Sequence, residues 1–471
     1  MAIRGAMKVR GYLYAALTTT LNIIIYSVTF GRFIWLEGRV RNGVFRNWIR
    51  RFRYRPRMFV QPACEEEIVN LVKKTRGMRT FGAGHSFNDG VMADETLISL
   101  DKYAGIIRKD LENKRIAFKG GTRVREVVRL LRKHGLAFRA LPSHDAQSIG
   151  GILSTDVHGT GGHDWGFVSQ LVASIRLIDG KGDVHECRPE DDLFKAAIGG
   201  IGAVGIISEV VVEGVDRFNV EQKTEISNLT FVKGNLDRLL LDNDHMSLYL
   251  FPFTDKCQIN TWNCTKEKQS FLGPLREFIS ISLDALLAAW VGNLLAYTKL
   301  LPKISSAAHS LKRGTNLVME SNRAFNRTIY HLHQELEFTV PFEDTFEACR
   351  RTLELYQHMF PRGLPYTILE VRFTPANHDR TLIGAGRARR SAWLDLLTND
   401  SRGFEEFYVA VEELMKEIGA RPHLGKFCQS FGKADMERLH GESFTRFIQL
   451  VDKYDPENKF ANDFTRRLFR N

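Results

Sequence analysis

Three turns dense in glycine, serine and threonine constrain the first part of this 471-residue chain. They are Gly82–Ser86, Gly120–Thr122 and a long run from Gln147 to Gly162. Glycine lets backbone N–H groups approach a ligand closely, and successive N–H groups form concave anion sites. Each turn by itself is equally well explained as a tight structural turn. Together they predict a cradle for a pyrophosphate.

A fourth glycine run, Gly200-Ile-Gly-Ala-Val-Gly205, fits the G-x-G-x-x-G pattern of dinucleotide-binding Rossmann folds. In those folds the pattern follows a strand and begins a helix. Here it follows a predicted helix over 192–198 and precedes a predicted strand that starts at Ile206. The context therefore argues against a Rossmann site.

Hydrophobic periodicity predicts short alternating strands and helices from about Pro62 onward. From about residue 219 to 420 the helices become longer, and this region is predicted as a second domain. The predicted helices cover 65–72, 124–134, 344–359 and 403–418, and the predicted strands cover 79–81, 106–107, 115–118, 171–178, 206–213, 245–251, 328–339 and 366–374.

The net charge of +11 is concentrated at the amino terminus. Residues 1–57 hold 12 of the 66 basic side chains and one of the 55 acidic side chains, Glu37. The remaining residues are therefore neutral overall and offer no broad electrostatic footprint for nucleic acid. The six cysteines include no C-x-x-C pair, so we expect neither a metal site nor a disulfide framework.

Tyr12 to Phe30 contains no charged residue over nineteen positions, close to the ~20 residues that cross a bilayer. We predict that residues 1–57 form a membrane anchor followed by a basic linker. The positive-inside bias then leaves the catalytic body on the cytoplasmic side. A helix packed on the body and a mitochondrial presequence are the alternatives.

The arginine-rich run from Arg46 to Arg57 suits an anionic lipid surface, with a solvated linker as its alternative. A second apolar stretch, Phe278 to Leu300, is interrupted by Asp284 and Lys299. It predicts a helix that packs on the body or lies in the membrane interface, rather than a second span.

The glycine turns and their histidines resemble the FAD-linked oxidases of the vanillyl-alcohol-oxidase type, and among them the aldonolactone (gulonolactone/arabinonolactone) and alditol oxidases. Gly82-Ala-Gly-His-Ser86 resembles that family's G-x-G-H-S turn. Thr155-Asp-Val-His-Gly-Thr-Gly161 resembles its T-G-T-H-G-T-G run, and Gly202-Ala-Val-Gly-Ile-Ile-Ser208 its G-A-L-G-V-I-T run.

The resemblance, which covers about residues 57 to 471, implies an α+β fold. It implies an FAD-binding domain of two subdomains over 58–218, an α+β substrate (cap) domain over 219–430, and a carboxy-terminal segment over 431–471 that returns to the FAD domain. The last expectation rests on Asp455-Pro-Glu-Asn-Lys-Phe-Ala-Asn462, which resembles the family's D-P-x-x-K-F-x-N.

The resemblance also implies which residues contact FAD. In the family the histidine of the G-x-G-H-S turn is bonded covalently to the flavin, and the matching residue is His85. Asp156 stands where the family has glycine, which implies a local change beside the flavin. The implied cofactor-binding residues are Gly82, Ala83, Gly84, His85, Ser86, Ser148, Gly151, Ser154, Thr155, His158, Gly159, Gly202, Gly205 and Ile207.

Two carboxy-terminal motifs carry the implied catalytic residues. Glu370-Val-Arg372 places a carboxylate and a guanidinium on one face of a strand, a pattern that by itself is more often a surface ion pair. The segment 421–426 resembles the family's R-P-H-W-G-K motif. The family likeness implies that Glu370, Arg372 and Lys426 hold the reacting hydroxyl, with His423 as a base or a hydrogen-bond donor.

The implied function is oxidation of a CH–OH group in a sugar lactone, a polyol or a related hydroxy compound, with hydride transfer to flavin N5. O2 or a membrane quinone or cytochrome would accept the electrons. The alternative is a membrane-tethered flavoprotein with a binding or scaffold role. Leu424 replaces the family's tryptophan, and Trp393 is expected where alditol oxidases have a pocket histidine, so the substrate stays open.

Overall fold

The computed structural model describes residues 16–25, 37–93, 95–161, 164–292, 314–326, 332–399 and 403–470, together with 13, 27, 28, 298 and 300–303. Residues 16–25 form helix α1. All further elements follow in chain order.

The first sheet lies in the predicted FAD domain and is parallel. Its strands β4 (Met58–Val60), β5 (Met78–Phe81) and β6 (Thr96–Ser99) are arranged in the order β4-β6-β5. Helix α2 (Glu65–Lys74) connects β4 to β5 and buries Ile68 and Val72. Three glutamates in its first turn and two lysines in its last turn complement the helix dipole.

A second, antiparallel sheet completes this domain, with strand order β11-β10-β12-β8-β7. Its strands are β7 (Ile106–Asp110), β8 (Arg115–Lys119), β10 (Val172–Ile178), β11 (Val184–Cys187) and β12 (Ile206–Glu213). Helices α3 (Val124–Lys133), α4 (Ile149–Ser154) and α5 (Asp192–Ala197) lie between them in sequence. The short strands β9 (Leu136–Ala137) and β13 (Val215–Asp216) pair with each other. The predicted hairpin at 106–118 is confirmed, and the predicted 206–213 strand has the bounds observed.

The cap domain is built on one sheet of eight strands in the order β17-β14-β16-β15-β19-β20-β18-β21. The strands are β14 (Asn219–Asn228), β15 (His245–Leu250), β16 (Lys256–Thr265), β17 (Thr315–Glu320), β18 (His333–Pro341), β19 (Thr367–Thr374), β20 (Ser391–Asn399) and β21 (Arg421–Pro422). The helices are α6 (Leu229–Leu241), α7 (Gly273–Leu286), α8 (Ser321–Phe325), α9 (Thr345–Met359) and α10 (Phe404–Ile418). The predicted 328–339 strand begins later, at His333, and residues 328–331 lie outside the described residues.

The chain ends in three helices, α11 (Lys433–His440), α12 (Glu442–Tyr454) and α13 (Asp463–Phe469). The segment between α12 and α13 contacts the first sheet, because Met78 N–H donates to the Lys459 carbonyl at 2.7 Å. The buried Arg79 guanidinium donates to three carbonyls at 2.6–2.7 Å, those of Gly90, Ile201 and Phe460. One side chain thus joins three separate segments around β5.

Residues 39–54, predicted as part of a basic linker, instead form a three-stranded antiparallel sheet. Its strands are β1 (Arg39–Arg41), β2 (Val44–Arg46) and β3 (Arg53–Tyr54). This sheet packs against the Gly82–Ser86 turn, where Gly38 N–H donates to the Ala83 carbonyl at 2.7 Å and Trp48 N–H to the Gly84 carbonyl at 3.1 Å. A Cβ at Gly38 would lie 2.8 Å from the Gly84 Cα, so this close approach requires glycine in both segments.

Within the described part of the chain, no helix combines the length and the apolar character that crossing a membrane requires. The predicted anchor at 12–30 lies partly outside the described residues, and a spanning anchor is not supported. The predicted helix at 278–300 is observed in its first half, as α7 and a wider helical turn over Leu287–Gly292. Of its second half, residues 293–297 and 299 are outside the described residues.

Arg79→Met is expected to destabilise the fold because it leaves three buried carbonyls without their charged donor. Hydrogen bonds from charged donors contribute about 1.5–3 kcal/mol each. We expect the thermal unfolding midpoint of the holoprotein to fall by at least ~5 °C. Arg76→Met is the matched control, since Arg76 is an exposed arginine on the same connection. Equal midpoints for the two variants would contradict the proposed role of Arg79.

Candidate active site

A long cavity runs from the glycine turns of the FAD domain to the strands of the cap sheet. Residues of both the FAD domain and the cap sheet line it, so a ligand bound along its length would contact both. The segments 79–91, 142–158 and 201–207 line one end, and residues of β18, β19 and the 423–426 segment line the other.

The cavity end formed by the FAD domain is a backbone cradle. A Cβ at Gly82 would lie 1.8 Å from Ser148 Oγ, and a Cβ at Gly120 would lie 2.1 Å from the Ile207 carbonyl oxygen. Only glycine lets these turns meet. All the predicted cofactor-binding residues line the cavity except Gly159, whose N–H donates to the Gly166 carbonyl at 2.7 Å. The cradle fits the FAD that the resemblance implies.

His85 lies between two aromatic side chains. The Trp48 ring stacks on its imidazole with ring centroids 5.0 Å apart and an angle of 20°, and the His144 ring meets it edge-on at 4.3 Å. Burial, together with the nearby His85 and His333, holds the pKa of His144 well below its usual range. The amino-terminal residue Trp48 is thus part of the cofactor site, which no motif around it had indicated.

Five charged side chains meet at the other end of the cavity. Arg372 Nη2 lies 2.6 Å from Glu337 Oε1 and 2.8 Å from Asp395 Oδ2. Lys426 contacts Glu335 and lies 3.4 Å from Asp395 Oδ2 and 3.7 Å from Glu337 Oε2. The side chains of Glu337 and Asp395 are only 1% and 2% exposed. We call these five residues the buried charge cluster.

Strand order explains how the buried charge cluster assembles. Strand β20 lies between β18 and β19, and Asp395 is the register partner of Glu337 on one side and of Glu370 on the other. Alternate residues of a strand share a face, so Glu335 and Glu337 point the same way. Two glutamates that alternate with Leu336 and Phe338 in strand β18 were a signal available in the sequence, because charges in a buried strand need partners.

The structure does not bring Glu370 to the cavity wall. Its carboxylate lies 3.9 Å from Arg372 Nε, beyond hydrogen-bond distance, whereas Glu337 and Asp395 both bond the same guanidinium. Arg372, His423 and Lys426 do line the cavity. Of the four predicted catalytic residues, Glu370 is thus the one set apart, and Glu337 is the carboxylate that the prediction missed.

Opposite charges decide the protonation of the buried charge cluster. Burial alone would raise the pKa of Glu337, but Arg372 and Lys426 hold it well below its usual range. Burial alone would raise the pKa of Glu335 as well, and Lys426 and His333 lower it. Burial and the repulsion of both glutamates raise the pKa of Asp395 well above its usual range. The pKa of Asp395 is thus shifted in the opposite direction to those of the two glutamates.

Two histidines adjoin the buried charge cluster. Burial lowers the pKa of His423 to about 4, so its ring is neutral at physiological pH. The Gly425 N–H donates to His423 Nδ1 at 3.0 Å, which leaves the ring proton on Nε2. His158 places Nδ1 2.8 Å from the Gly159 carbonyl oxygen and Nε2 3.1 Å from Glu337 Oε1. The Gly159 carbonyl can only accept, and burial lowers the pKa of His158, so the proton of the neutral ring lies on Nδ1 and Nε2 faces Glu337 without one.

Two oxygens of the buried charge cluster, Glu337 Oε2 and Asp395 Oδ1, are buried and accept no hydrogen bond from the described residues. Of these two side chains, Glu337 is the one that lines the cavity. A buried carboxylate oxygen without a donor carries a free-energy cost that a bound hydroxyl would remove. His158, Glu337 and His423 have ligand atoms within 4.8 Å of one another, but Arg372 and Lys426 already neutralise this carboxylate. The cluster therefore suits a hydroxyl-bearing substrate better than a metal cation.

The contacts of the Asp156 carboxylate account for an aspartate where the family has glycine. Its φ of 50° is in the left-handed region, which favours glycine. Its carboxylate bonds His378 Nε2 at 2.8 Å and accepts from Ser169 Oγ at 3.0 Å. The aspartate thereby joins the flavin-side turn to a loop of the cap domain.

Trp393, expected in the substrate pocket, lies behind it. The indole is 1% exposed, stacks on the His158 ring at 3.6 Å and donates to Thr374 Oγ1 at 2.8 Å. Its role in the structure is to support His158. Leu424, which replaces the family's tryptophan, does line the cavity.

The profile of the FAD binding domain matches residues 56–188, and that of D-arabinono-1,4-lactone oxidase matches residues 210–468. The chain is 26% identical to L-gulono-1,4-lactone dehydrogenase of Mycobacterium tuberculosis, over 90% of this chain and 99% of that protein. It is 25% identical to L-gulonolactone oxidase of Bos taurus, over 90% of this chain and 98% of that protein.

The fold is similar to that of cholesterol oxidase from Brevibacterium sterolicum, with a TM-score of 0.68 and 17% identity. This likeness covers 92% of this chain and 97% of that one, and it confirms the predicted α+β fold with an FAD-binding domain and a cap. The lactone oxidase profile covers more than half of the chain. The chain therefore belongs to the D-arabinono-1,4-lactone oxidase family of FAD-dependent oxidoreductases.

Proposed function

We propose that this protein oxidises a CH–OH group of a sugar lactone, a polyol or a related hydroxy compound. The observation that carries this proposal is the buried charge cluster, which places two cations and a carboxylate oxygen that accepts no hydrogen bond on the wall of the cofactor cavity. Relatives named for gulonolactone and arabinonolactone support a lactone as the substrate.

Three groups of the buried charge cluster and the two adjoining histidines have tasks that follow from their charge and hydrogen bonds. Lys426 and Arg372 stabilise the negative charge that develops on the substrate oxygen, and one such preorganised contact typically contributes ~3–4 kcal/mol. Glu337 Oε2 accepts the hydroxyl proton, and His158 Nε2, 3.1 Å from Glu337 Oε1, is the next acceptor along the route by which the proton leaves. His423 Nε2–H donates a hydrogen bond, because its Nδ1 already accepts one from Gly425.

FAD, when bound, supplies the two-electron acceptor for this oxidation. The glycine turns would hold it by backbone contacts, and we propose that His85 forms the covalent bond to it. Trp48 and His144 keep the His85 imidazole in one orientation.

The final electron acceptor is O2 or a membrane quinone or cytochrome. The relatives include a protein named as an oxidase and one named as a dehydrogenase. Turnover in air, compared with anaerobic turnover in the presence of a soluble quinone, distinguishes O2 from a membrane carrier as the acceptor. The scaffold alternative requires a site without catalytic groups, and the intact buried charge cluster on the cavity wall argues against it.

We expect Lys426→Met to lower the rate of substrate-driven flavin reduction by roughly 10²–10³-fold, the effect of losing one preorganised donor. Anaerobic stopped-flow bleaching of the flavin measures this rate, with a panel of lactones, polyols and hydroxy acids. The absorbance spectrum of the bound flavin checks that the variant is folded. A substrate that reduces both proteins at the same rate would refute the role of Lys426, and failure of the whole panel would favour the scaffold alternative.

We expect Glu337→Gln to slow flavin reduction by roughly 10²-fold, because it removes both the proton acceptor and the partner of Arg372. Glu370→Gln is the matched control on β19, and it should change the rate by less than about threefold, because its carboxylate lies outside the cavity wall and beyond hydrogen-bond distance of Arg372. Single-turnover kinetics compares the two. A larger effect at Glu370 than at Glu337 would restore the assignment made from the sequence.

The yellow colour should stay with the polypeptide after acid precipitation, because a covalent bond to His85 survives unfolding. His85→Ala should release its flavin to the supernatant, whereas His144→Asn, which changes the neighbouring ring, should retain it. Absorbance of the pellet and of the supernatant measures how the flavin divides between them. Flavin in the supernatant of the unaltered protein would show that FAD is held without a covalent bond.

A further inference from the structure

The exposed large apolar side chains are concentrated in two segments. Of the 18 such side chains in the described residues, 12 lie in residues 13–28 and 271–300. The other six are scattered singly, which is normal for a soluble surface.

Within each segment the exposed side chains form one face of a helix. In and beside α1 they are Leu13, Leu17, Leu21, Ile24 and Val28, spaced three or four residues apart. In and beside α7 they are Leu272, Leu275, Ile279, Leu283 and Leu287, with the same spacing. Residues three and four apart lie on the same side of a helix, so each series makes a continuous apolar stripe.

The residues on the opposite faces of these helices are small or polar, although they are buried. In α1, Ala16, Thr19 and Asn22 are at most 2% exposed. In α7, Glu277 and Ser282 are at most 8% exposed. A helix in contact with water has the reverse arrangement, with apolar residues inside and polar residues outside. The outward leucine faces are therefore suited to an apolar environment.

The two helices adjoin each other. Trp290, in the turn that continues α7, donates from its indole nitrogen to Thr20 Oγ1 of α1 at 3.1 Å. Thr20 in turn donates to the Ala16 carbonyl at 2.9 Å. We call the two apolar stripes together the paired-helix surface.

Charge identifies what covers the paired-helix surface. Seven exposed arginines follow α1 in sequence: Arg39, Arg41, Arg46, Arg50, Arg53, Arg55 and Arg57. A second copy of this chain would bring the same positive charges together, because residues 1–57 carry the whole net charge of +11. Anionic lipid provides both an apolar interior for the stripes and negative headgroups for the arginines.

We propose that the paired-helix surface lies in the plane of an anionic membrane, with its leucine faces in the acyl region and the arginines at the headgroups. This differs from the spanning anchor expected from the sequence, because α7, from the middle of the chain, contributes half of the surface. The proposal does not depend on the substrate or the chemistry proposed above.

Flotation of the full-length holoprotein with vesicles of phosphatidylcholine and phosphatidylglycerol tests this proposal. The test variant combines Leu21→Ser, Ile24→Ser, Ile279→Ser and Leu283→Ser, which removes apolar surface without changing charge. The matched control combines Phe231→Ser and Leu241→Ser, two exposed apolar residues of α6. We expect the test variant to bind at least tenfold more weakly and the control to bind like the unaltered protein. The flavin spectrum checks the fold of both.

Three results of the flotation and sedimentation measurements would overturn the proposal. The first is equal flotation of the test variant and the unaltered protein, and the second is no flotation of the unaltered protein. The third is a lipid-free dimer, detected by analytical ultracentrifugation, that the test variant converts to a monomer. A protease added outside sealed inverted vesicles should also remove an amino-terminal tag, since in-plane binding keeps both ends of α1 on one side. A protected tag would show a spanning segment instead.

Discussion

Two cations buried beside three carboxylates are the constraint on which the functional end of this structure depends. None of these groups could be buried alone, because an unpaired charge in a protein interior costs several kcal/mol. Arg372 is held by Glu337 and Asp395, and Lys426 by Glu335. The strand order β19-β20-β18 supplies the three carboxylates from two strands and the guanidinium from the third. The reactive groups are thereby presented to the cavity in fixed positions.

The cofactor end of the cavity depends on glycine, which has no side chain, rather than on charged residues. Gly82 and Gly120 allow backbone to meet backbone or side chain at distances that no Cβ would permit. Gly38 and Gly84 repeat this arrangement on the outer side of the turn, where the amino-terminal sheet packs. The segment that carries Trp48 is therefore a wall of the cofactor site. Because the same segment follows α1, the amino terminus connects the proposed membrane surface to the turn that contains His85.

Most of the local structure could be predicted from the sequence. The helices that begin at Glu65, Thr345 and Phe404 and the strand at 206–213 depend on hydrophobic periodicity and terminal charges, which are local properties. The glycine turns and the 421–426 motif also indicated most of the cavity wall, because close backbone approach requires glycine whatever the surroundings. These signals need only a few consecutive residues, and they are therefore readable without the fold.

The sequence by itself determined the backbone cradle and the basic amino terminus, since each is encoded by residue type at fixed spacing, and the family resemblance of its motifs implied the α+β fold. Only the tertiary structure decided which carboxylate partners Arg372, because Glu337 is 35 residues away in sequence and meets it through strand order. The same holds for Trp48, which stacks on His85 across the fold, and for Trp393, which packs behind His158. It holds too for α1, whose leucines point outward because its small and polar face is buried and α1 contacts the turn that continues α7. Partnership between distant residues is set by packing, and packing is a property of the whole chain.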